Sequence, residues 1–153
     1  MIVDGRREGG GAIMDRPGVG CGVAILNEAG DLLLIQRRKA PQAGHWGLPG
    51  GKVDFFEDTR TTAAREVQEE LGVTATIGEL LCLTEEHHEE ETGRYHWVSP
   101  VYRAASFEGE PVLKEPDKHS GLGWFALDAL PSPLTEPTCQ VLPHLRTKGA
   151  PGG

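Results

Sequence analysis

The segment Thr59–Leu71 constrains the fold most, because its composition requires a helix. It holds no Gly or Pro, although the 153-residue chain contains 21 Gly and 11 Pro. It is rich in Ala, Arg, Glu and Gln, which favour helices. Asp58 or Thr59 can cap its start, and Gly72 can end it in the left-handed conformation. Three apolar residues at helical spacing predict a buried stripe; they are Ala64, Val67 and Leu71.

The remaining elements are predicted to be strands and one further helix. The apolar runs Val19–Leu26 and Leu32–Gln36 flank a turn-rich segment and predict a β-hairpin. Residues 40–57 are rich in Gly and Pro and predict mostly loop. Further strands are expected at 73–84, 94–104 and 121–125, and a second helix at Pro137–Leu145. This pattern favours a mixed α/β or α+β domain.

Composition limits the classes of partner. Fifteen basic and 23 acidic residues give a net charge of −8, which argues against a nucleic-acid polymer as ligand. No apolar run approaches the roughly 20 residues of a membrane span. Three widely spaced cysteines indicate reduced thiols and a cytoplasmic location.

The predicted domain organisation is simple. A flexible tail is expected at residues 1–15, one domain at 16–147, and a second tail at 148–153. Either Met1 or Met14 can be the natural start, because ordered patterning begins soon after Met14.

Three carboxylates of the predicted helix share one face. Glu66, Glu69 and Glu70 lie at i, i+3 and i+4, within an arc of about 100°. They repel one another, and Arg65 should offset little of that because adjacent helical residues point apart. A divalent cation that prefers oxygen ligands would remove the repulsion, which favours Mg²⁺ or Mn²⁺ over Zn²⁺. The alternative for the triplet alone is a solvated helix face.

The loop before the helix adds groups suited to phosphate. Gly50 and Gly51 let backbone atoms approach a metal ion or a phosphate closely. Lys52 adds a cation, and Glu57 can orient Arg65 or a water molecule. Together with the acidic helix face, the loop predicts a site for a phosphate ester or anhydride.

The spacing of these residues resembles a known motif. Gly51, Glu57 and the run Arg65–Val73 match every fixed position of G-x5-E-x7-R-E-U-x-E-E-x-G-U, where U is aliphatic. This is the Nudix box of the Nudix hydrolases. Weaker resemblance to MutT-like nucleoside triphosphate pyrophosphatases extends over about residues 18–130, through "LLLIQRR", "WGLPGGKV" and "KEPDKH". Phe56 departs from the many members that have Gly before the first box glutamate.

The resemblance implies a three-layer α/β/α sandwich around a mixed sheet, and Mg²⁺-dependent attack of water on a nucleoside diphosphate linked to a group X. It implies that Glu66 or Glu69 activates the water, while Arg65 positions carboxylates, with Glu57 as its partner. The implied metal ligands are Glu66, Glu69, Glu70, the Gly50 carbonyl and, further along the chain, Glu115. The expected substrate-binding residues are Arg37, Gly51 and Lys52.

Three alternatives remain for the function: two enzymes that differ in the group X, and one protein that binds a nucleotide without cleaving it. The residues that mark ADP-ribose, diadenosine polyphosphate, coenzyme A and NADH enzymes are missing, which favours a (d)NTP cleaved to monophosphate and pyrophosphate. ADP-ribose or another nucleoside diphosphate sugar is the alternative, and a non-catalytic nucleotide sensor is the second. The expected partner is a small-molecule nucleotide, and a homodimer is common among similar proteins.

Several other residues carry two readings. Trp46, Tyr95 and Trp97 can stack a base or pack internally, and packing is favoured for each. One of Phe55 and Phe56 is expected in the core. The run Glu85–Glu91, with two histidines, favours a solvated acidic loop over a zinc site.

Overall fold

A computed structural model describes residues 14–148. The elements are β1 Gly18–Ala24, β2 Leu32–Arg37, β3 Trp46–Gly47, β4 Gly50–Lys52, α1 Thr59–Leu71, β5 Thr74–Glu90, β6 Gly93–Glu108, β7 His119–Phe125 and α2 Glu136–Lys148. The tails predicted at 1–15 and 148–153 lie outside the described residues, apart from positions 14, 15 and 148.

The strands form two sheets. One has the order β4-β1-β6-β5, and its β1–β6 pair is parallel while its other pairs are antiparallel. The second is antiparallel, with the order β3-β2-β7. The predicted hairpin is present only at its turn, where Leu26 and Leu32 form one antiparallel bridge. Beyond that bridge β1 and β2 separate into different sheets. Apolar runs buried on both faces indicate depth in the core, but they do not select a partner strand.

The two helices cover opposite faces of this β layer. Leu33 and Ile35 of β2 pack in one cluster with Val67 and Leu71 of α1. Leu32 and Leu34, which point the other way, pack in a second cluster with three residues of α2; these are Val141, Leu142 and Leu145. The three-layer arrangement with a mixed sheet is thus confirmed.

Helix α1 begins and ends where the sequence predicts. Gly72 has φ 69°, and its N–H donates to the Gln68 carbonyl at 2.9 Å. Asp58 is the N-cap residue, but its carbonyl, rather than its side chain, accepts from the Thr62 N–H. The buried stripe includes Ala63 in place of Ala64.

Two expectations about exposed segments are wrong. The acidic run at 85–90 is not a loop, because β5 continues through it and pairs with β6 up to Glu90. Cross-strand pairing over this length supplies the backbone hydrogen bonds that a local charge pattern does not reveal. Phe55 and Phe56 are 93% and 95% exposed, so neither belongs to the core; their loop places them beyond the cover of any helix or strand.

Strand β1 presents a face made of glycine. Gly18, Gly20 and Gly22 alternate with larger residues and therefore share one side of the strand. A Cβ atom at Gly18 would lie 2.6 Å from the Trp97 ring, and one at Gly20 would lie 2.9 Å from the Ser99 hydroxyl. Because glycine has no side chain, residues of β6 approach β1 closely on this face, and space remains for the cavity described below.

No helix among residues 14–148 is long and apolar enough to cross a bilayer.

Packing of α2 predicts a specific cost. Leu145 is fully buried against the sheet, so Leu145→Ala should lower the free energy of unfolding by about 2–5 kcal/mol. Leu83 is 58% exposed, and Leu83→Ala should change it by less than about 0.5 kcal/mol. Urea unfolding followed by circular dichroism measures both. Equal effects of the two substitutions would contradict the placement of α2 on the core.

Candidate functional site

The site is built where α1 passes beneath β4. The Gly50 N–H donates to Glu70 Oε1 at 3.0 Å. A Cβ atom at Gly51 would lie 2.6 Å from both carboxylate oxygens of Glu66, so only glycine lets that carboxylate rest against the backbone. At Gly50, a Cβ would lie 2.8 Å from the Gly22 Cα. These two glycines bring two carboxylates of α1 against one short strand.

Arg65 joins the loop to the helix. Its Nε and Nη2 donate to the two oxygens of Glu57 at 2.7 and 2.9 Å, a bidentate pair. Its Nη1 donates to Glu66 at 3.1 Å and to Glu69 at 3.0 Å. The expectation that Arg65 offsets little repulsion is therefore wrong, because its long side chain reaches carboxylates one and four positions ahead. Lys52 contributes its carbonyl, which accepts from Nη2 at 3.3 Å.

Three of these glutamates have pKa values shifted by their surroundings. Hydrogen bonds from Arg65 and then Thr62 lower the pKa of Glu57 to about 2, so it is anionic at neutral pH. Burial raises the pKa of Glu66, against the attraction of Arg65. Burial raises the pKa of Glu70 to about 8, although the Gly50 N–H stabilises its anion. Among the described residues, Arg65 donates no hydrogen bond to Glu70.

Residues much later in the chain, in β7 and in the loop before it, also belong to the site. His119 is buried, with Nε2 3.7 Å from Glu70 Oε2, and burial lowers the pKa of its imidazole. Glu115 lies in the loop before β7, accepts from Lys118 Nζ at 3.3 Å, and raises the pKa of both Glu66 and Glu70 by its charge. Glu115 therefore lies within electrostatic reach of the helix carboxylates.

A cavity of about 520 Å³ opens beside these groups. The cavity is lined by Gly50, Gly51, Lys52, Glu70 and His119 among others. Arg37 also lines it, and its Nε donates to the Pro41 carbonyl at 2.8 Å, which fixes the guanidinium. All three sequence-predicted substrate-binding residues therefore border one cavity.

The predicted metal ligands are neighbours, but they are not assembled. Glu69 is 50% exposed and turned toward Arg65, whereas Glu66 and Glu70 point under β4. Within residues 14–148, no three Asp, Glu, His or Cys side chains converge into a ready-made metal site. Trp46 packs edge-on against Phe125 at 5.1 Å between ring centroids, while Trp97 and Tyr95 line the cavity.

Sequence reasoning missed the wall of the cavity. The alternating glycines of β1 are a visible signal, since Gly at every second strand position marks close approach of backbone. Glu86, in the run expected to be a solvated loop, lines the same cavity. No local signal identifies it, because its position depends on the long β5–β6 pairing.

Comparisons with known proteins agree with this geometry. The model of the NUDIX domain matches residues 16–145. The chain is 36% identical to the CTP pyrophosphohydrolase of Escherichia coli over 72% of its own length and 78% of that protein. It is 31% identical to the ADP-ribose pyrophosphatase of Methanocaldococcus jannaschii over 70% and 61% of the two chains. The crystal structure of a MutT NUDIX hydrolase from Burkholderia pseudomallei superposes with a TM-score of 0.79 at 49% identity, covering 85% of this chain and 98% of that one. The chain therefore belongs to the NUDIX domain family, and it is an enzyme of the class that hydrolyses phosphoric anhydrides.

Proposed function

We propose that this protein is a Mg²⁺-dependent hydrolase that cleaves a nucleoside triphosphate to the monophosphate and pyrophosphate. The observation that carries the proposal is the contact of two carboxylates of α1, the buried Glu70 and the largely buried Glu66, with the glycine backbone of β4, where Gly50, Gly51 and Glu70 line a 520 Å³ cavity. Buried carboxylates of raised pKa beside a ligand-sized cavity mark a functional site.

The residues present fit a divalent cation by their chemistry. Burial raises the pKa of both carboxylates; the charges of Glu69 and Glu115 also raise that of Glu66, and the charges of Glu66 and Glu115 that of Glu70. A bound cation would remove that repulsion. All the candidate metal-ligand atoms are carboxylate or carbonyl oxygens, which suit Mg²⁺ or Mn²⁺. NUDIX hydrolases generally use divalent ions; in this chain the ligands would be the Gly50 carbonyl, Glu66, Glu69, Glu70 and Glu115.

The chain's own residues divide the work. When bound, Mg²⁺ supplies charge stabilisation at the phosphates and lowers the pKa of bound water. Glu66 is the better placed general base, because burial raises its pKa and its carboxylate lies against Gly51, whereas the Glu69 side chain is half-exposed. Arg65 and Glu57 fix the positions of these carboxylates. Arg37 and Lys52 place positive charge along the cavity that receives the phosphates.

Substrate choice follows the relatives. The CTP pyrophosphohydrolase similarity supports a nucleoside triphosphate, and the ADP-ribose pyrophosphatase similarity supports the alternative of a nucleoside diphosphate sugar. A non-catalytic sensor is disfavoured, because Glu57, Glu66, Glu69 and Glu70 are all present. A homodimer and a cytoplasmic location stay predictions. The three cysteines are free thiols in the structure.

A nucleotide panel tests the proposal directly. Purified protein with Mg²⁺ is given NTPs, dNTPs, oxidised dGTP, ADP-ribose and a dinucleoside polyphosphate, and the products are separated by chromatography. Monophosphate plus pyrophosphate from a triphosphate is the expected result. Cleavage of ADP-ribose with every triphosphate left intact would replace the substrate, and tight binding without turnover would favour the sensor.

Removing the buried carboxylates should abolish turnover. Glu66→Gln and Glu70→Gln each keep the side-chain volume but remove an anionic oxygen ligand, so kcat/KM should fall by at least about a hundredfold. Glu110→Gln, at an exposed position outside the site, is the matched control and should leave the rate unchanged. Circular dichroism checks that all three variants are folded. Rates near wild type in either of the first two would refute the assignment.

Stability should depend on pH through Glu70. The pKa of Glu70 is about 8 in the folded protein, above its ordinary value of 4.5. The folded state therefore binds more protons than the unfolded state between these values, and stability falls as pH rises from about 4.5 to 8. In EDTA, wild type should lose stability across this range while Glu70→Gln loses less, and added Mg²⁺ should restore it. Urea unfolding at pH 5, 6.5 and 8 measures this; parallel pH profiles would contradict the burial of an ionisable Glu70.

A further inference from the structure

The wall of the cavity away from β4 carries a carboxylate that the proposed hydrolysis does not use. Glu86 lines the cavity and its side chain is only 13% exposed. Along β5, the even-numbered residues Thr84, Glu86 and His88 face inward, while Glu85 and His87 face solvent. The position is therefore fixed by the sheet rather than by a mobile loop.

Glu86 is held in place from behind. Its Oε1 accepts a hydrogen bond from His88 Nε2 at 3.0 Å, and the His88 side chain is itself buried. Because a carboxylate oxygen only accepts, His88 must be the donor. Among residues 14–148, no group donates a hydrogen bond to Oε2. A fixed carboxylate that lines the cavity thus has one oxygen with no hydrogen-bond donor among the described residues.

An aromatic surface lies beside this oxygen. Trp97 of β6 pairs directly with Glu86 in the cross-strand register, and both residues line the cavity. The indole lies against the glycine face of β1, since a Cβ at Gly18 would lie 2.6 Å from its ring. A flat aromatic wall with an adjacent acceptor suits a planar ring that carries an N–H donor.

Arg37, the nearby positive charge, donates its hydrogen bonds to backbone carbonyls and not to Glu86. Arg37 lies close enough for the charge of Glu86 to raise its pKa, against the larger lowering caused by burial. Its Nε and Nη2 donate instead to the carbonyls of Pro41 and Ala40. The guanidinium is fixed by backbone, so Glu86 keeps its acceptor capacity for a ligand.

The two ends of the cavity differ in what they can bind. Gly50, Gly51 and Glu70 stand at the end assigned to phosphate by the proposed function, on which this inference rests. Glu86 and Trp97 stand on the β5–β6 wall. Strands β4 and β5 are the two edges of the sheet β4-β1-β6-β5, so a nucleotide with its phosphates at β4 can extend across the sheet and present its base to that wall.

We propose that Glu86 accepts a hydrogen bond from the exocyclic amino group of the nucleobase, so that the enzyme selects amino-bearing bases over their oxo counterparts. Cytosine, adenine and guanine offer an N–H₂ donor, whereas uracil and hypoxanthine place a carbonyl oxygen or a hydrogen atom there. An oxo group would face a fixed anionic acceptor and leave it unpaired, which costs far more than a lost contact.

Matched nucleotide pairs test the proposal. The kcat/KM ratio is measured for CTP over UTP, ATP over ITP and GTP over ITP, because each pair differs at an amino group. Wild type should favour the amino member of at least one pair by about tenfold or more. Glu86→Gln should reduce the CTP over UTP or ATP over ITP ratio to near one, since an amide accepts from an amino group and also donates to an oxo group. A GTP over ITP preference should fall without disappearing, because a neutral amide is a weaker acceptor than a carboxylate.

Control variants and ratios protect the interpretation. Glu85→Gln, one residue away on the solvent face of β5, should leave every ratio unchanged. Each ratio is measured within one protein sample, so partial loss of folded enzyme cancels. The GTP over dGTP ratio should not respond to Glu86→Gln, because the proposed contact is with the base and not the ribose.

Three results would overturn the inference. Wild type could show no preference in any of the three pairs, Glu86→Gln could leave an existing preference intact, or its effect could fall on the GTP over dGTP ratio, which would assign Glu86 to the ribose. Absence of hydrolysis for all NTPs is a different result. It would overturn the proposed function, and the inference with it.

Discussion

One guanidinium decides whether the loop and the helix form a single unit. Arg65 donates to Glu57, Glu66 and Glu69 and to the Lys52 carbonyl, with Asp54 3.4 Å from Nη2. Without it, carboxylates from two segments would be close together with no compensating charge. Its planar geometry pairs bidentately with Glu57, which a lysine ammonium cannot do. The loop after β4 is therefore fixed by an ion pair network rather than by apolar contacts, which agrees with the exposure of Phe55 and Phe56.

The sequence predicts α1 and its loop well because their determinants are local. The helix limits follow from composition and from Gly72, and the site residues lie within 23 positions that fold as loop and helix. The error about Arg65 has a simple cause: backbone angles place adjacent Cβ atoms apart, but a long flexible side chain can still reach its neighbour. The apolar runs of β1 and β2 were identified, yet their partners were not, because burial on both faces gives no information on pairing.

The rest of the site depends on contacts between distant parts of the chain. His119 reaches Glu70 across 49 positions, a separation that no periodicity reports. Glu86 enters the cavity because β5 pairs with β6 in an uninterrupted register from Cys82 to Glu90. In the sequence it lies among seven acidic or histidine residues and has the composition of a solvated segment. The glycines of β1 are the exception, since their alternation is visible before the fold is known.

Local segments and contacts between distant segments form different parts of the cavity. At the β4 end, local segments hold the carboxylates that the proposed chemistry requires, and Arg65 ties them together. At the other wall, side chains of β5 and β6 face the same space but make no hydrogen bond to Arg65 or to the carboxylates of α1 in the described chain. Substitutions on that wall can therefore alter which base fits while leaving the charge network of the box intact.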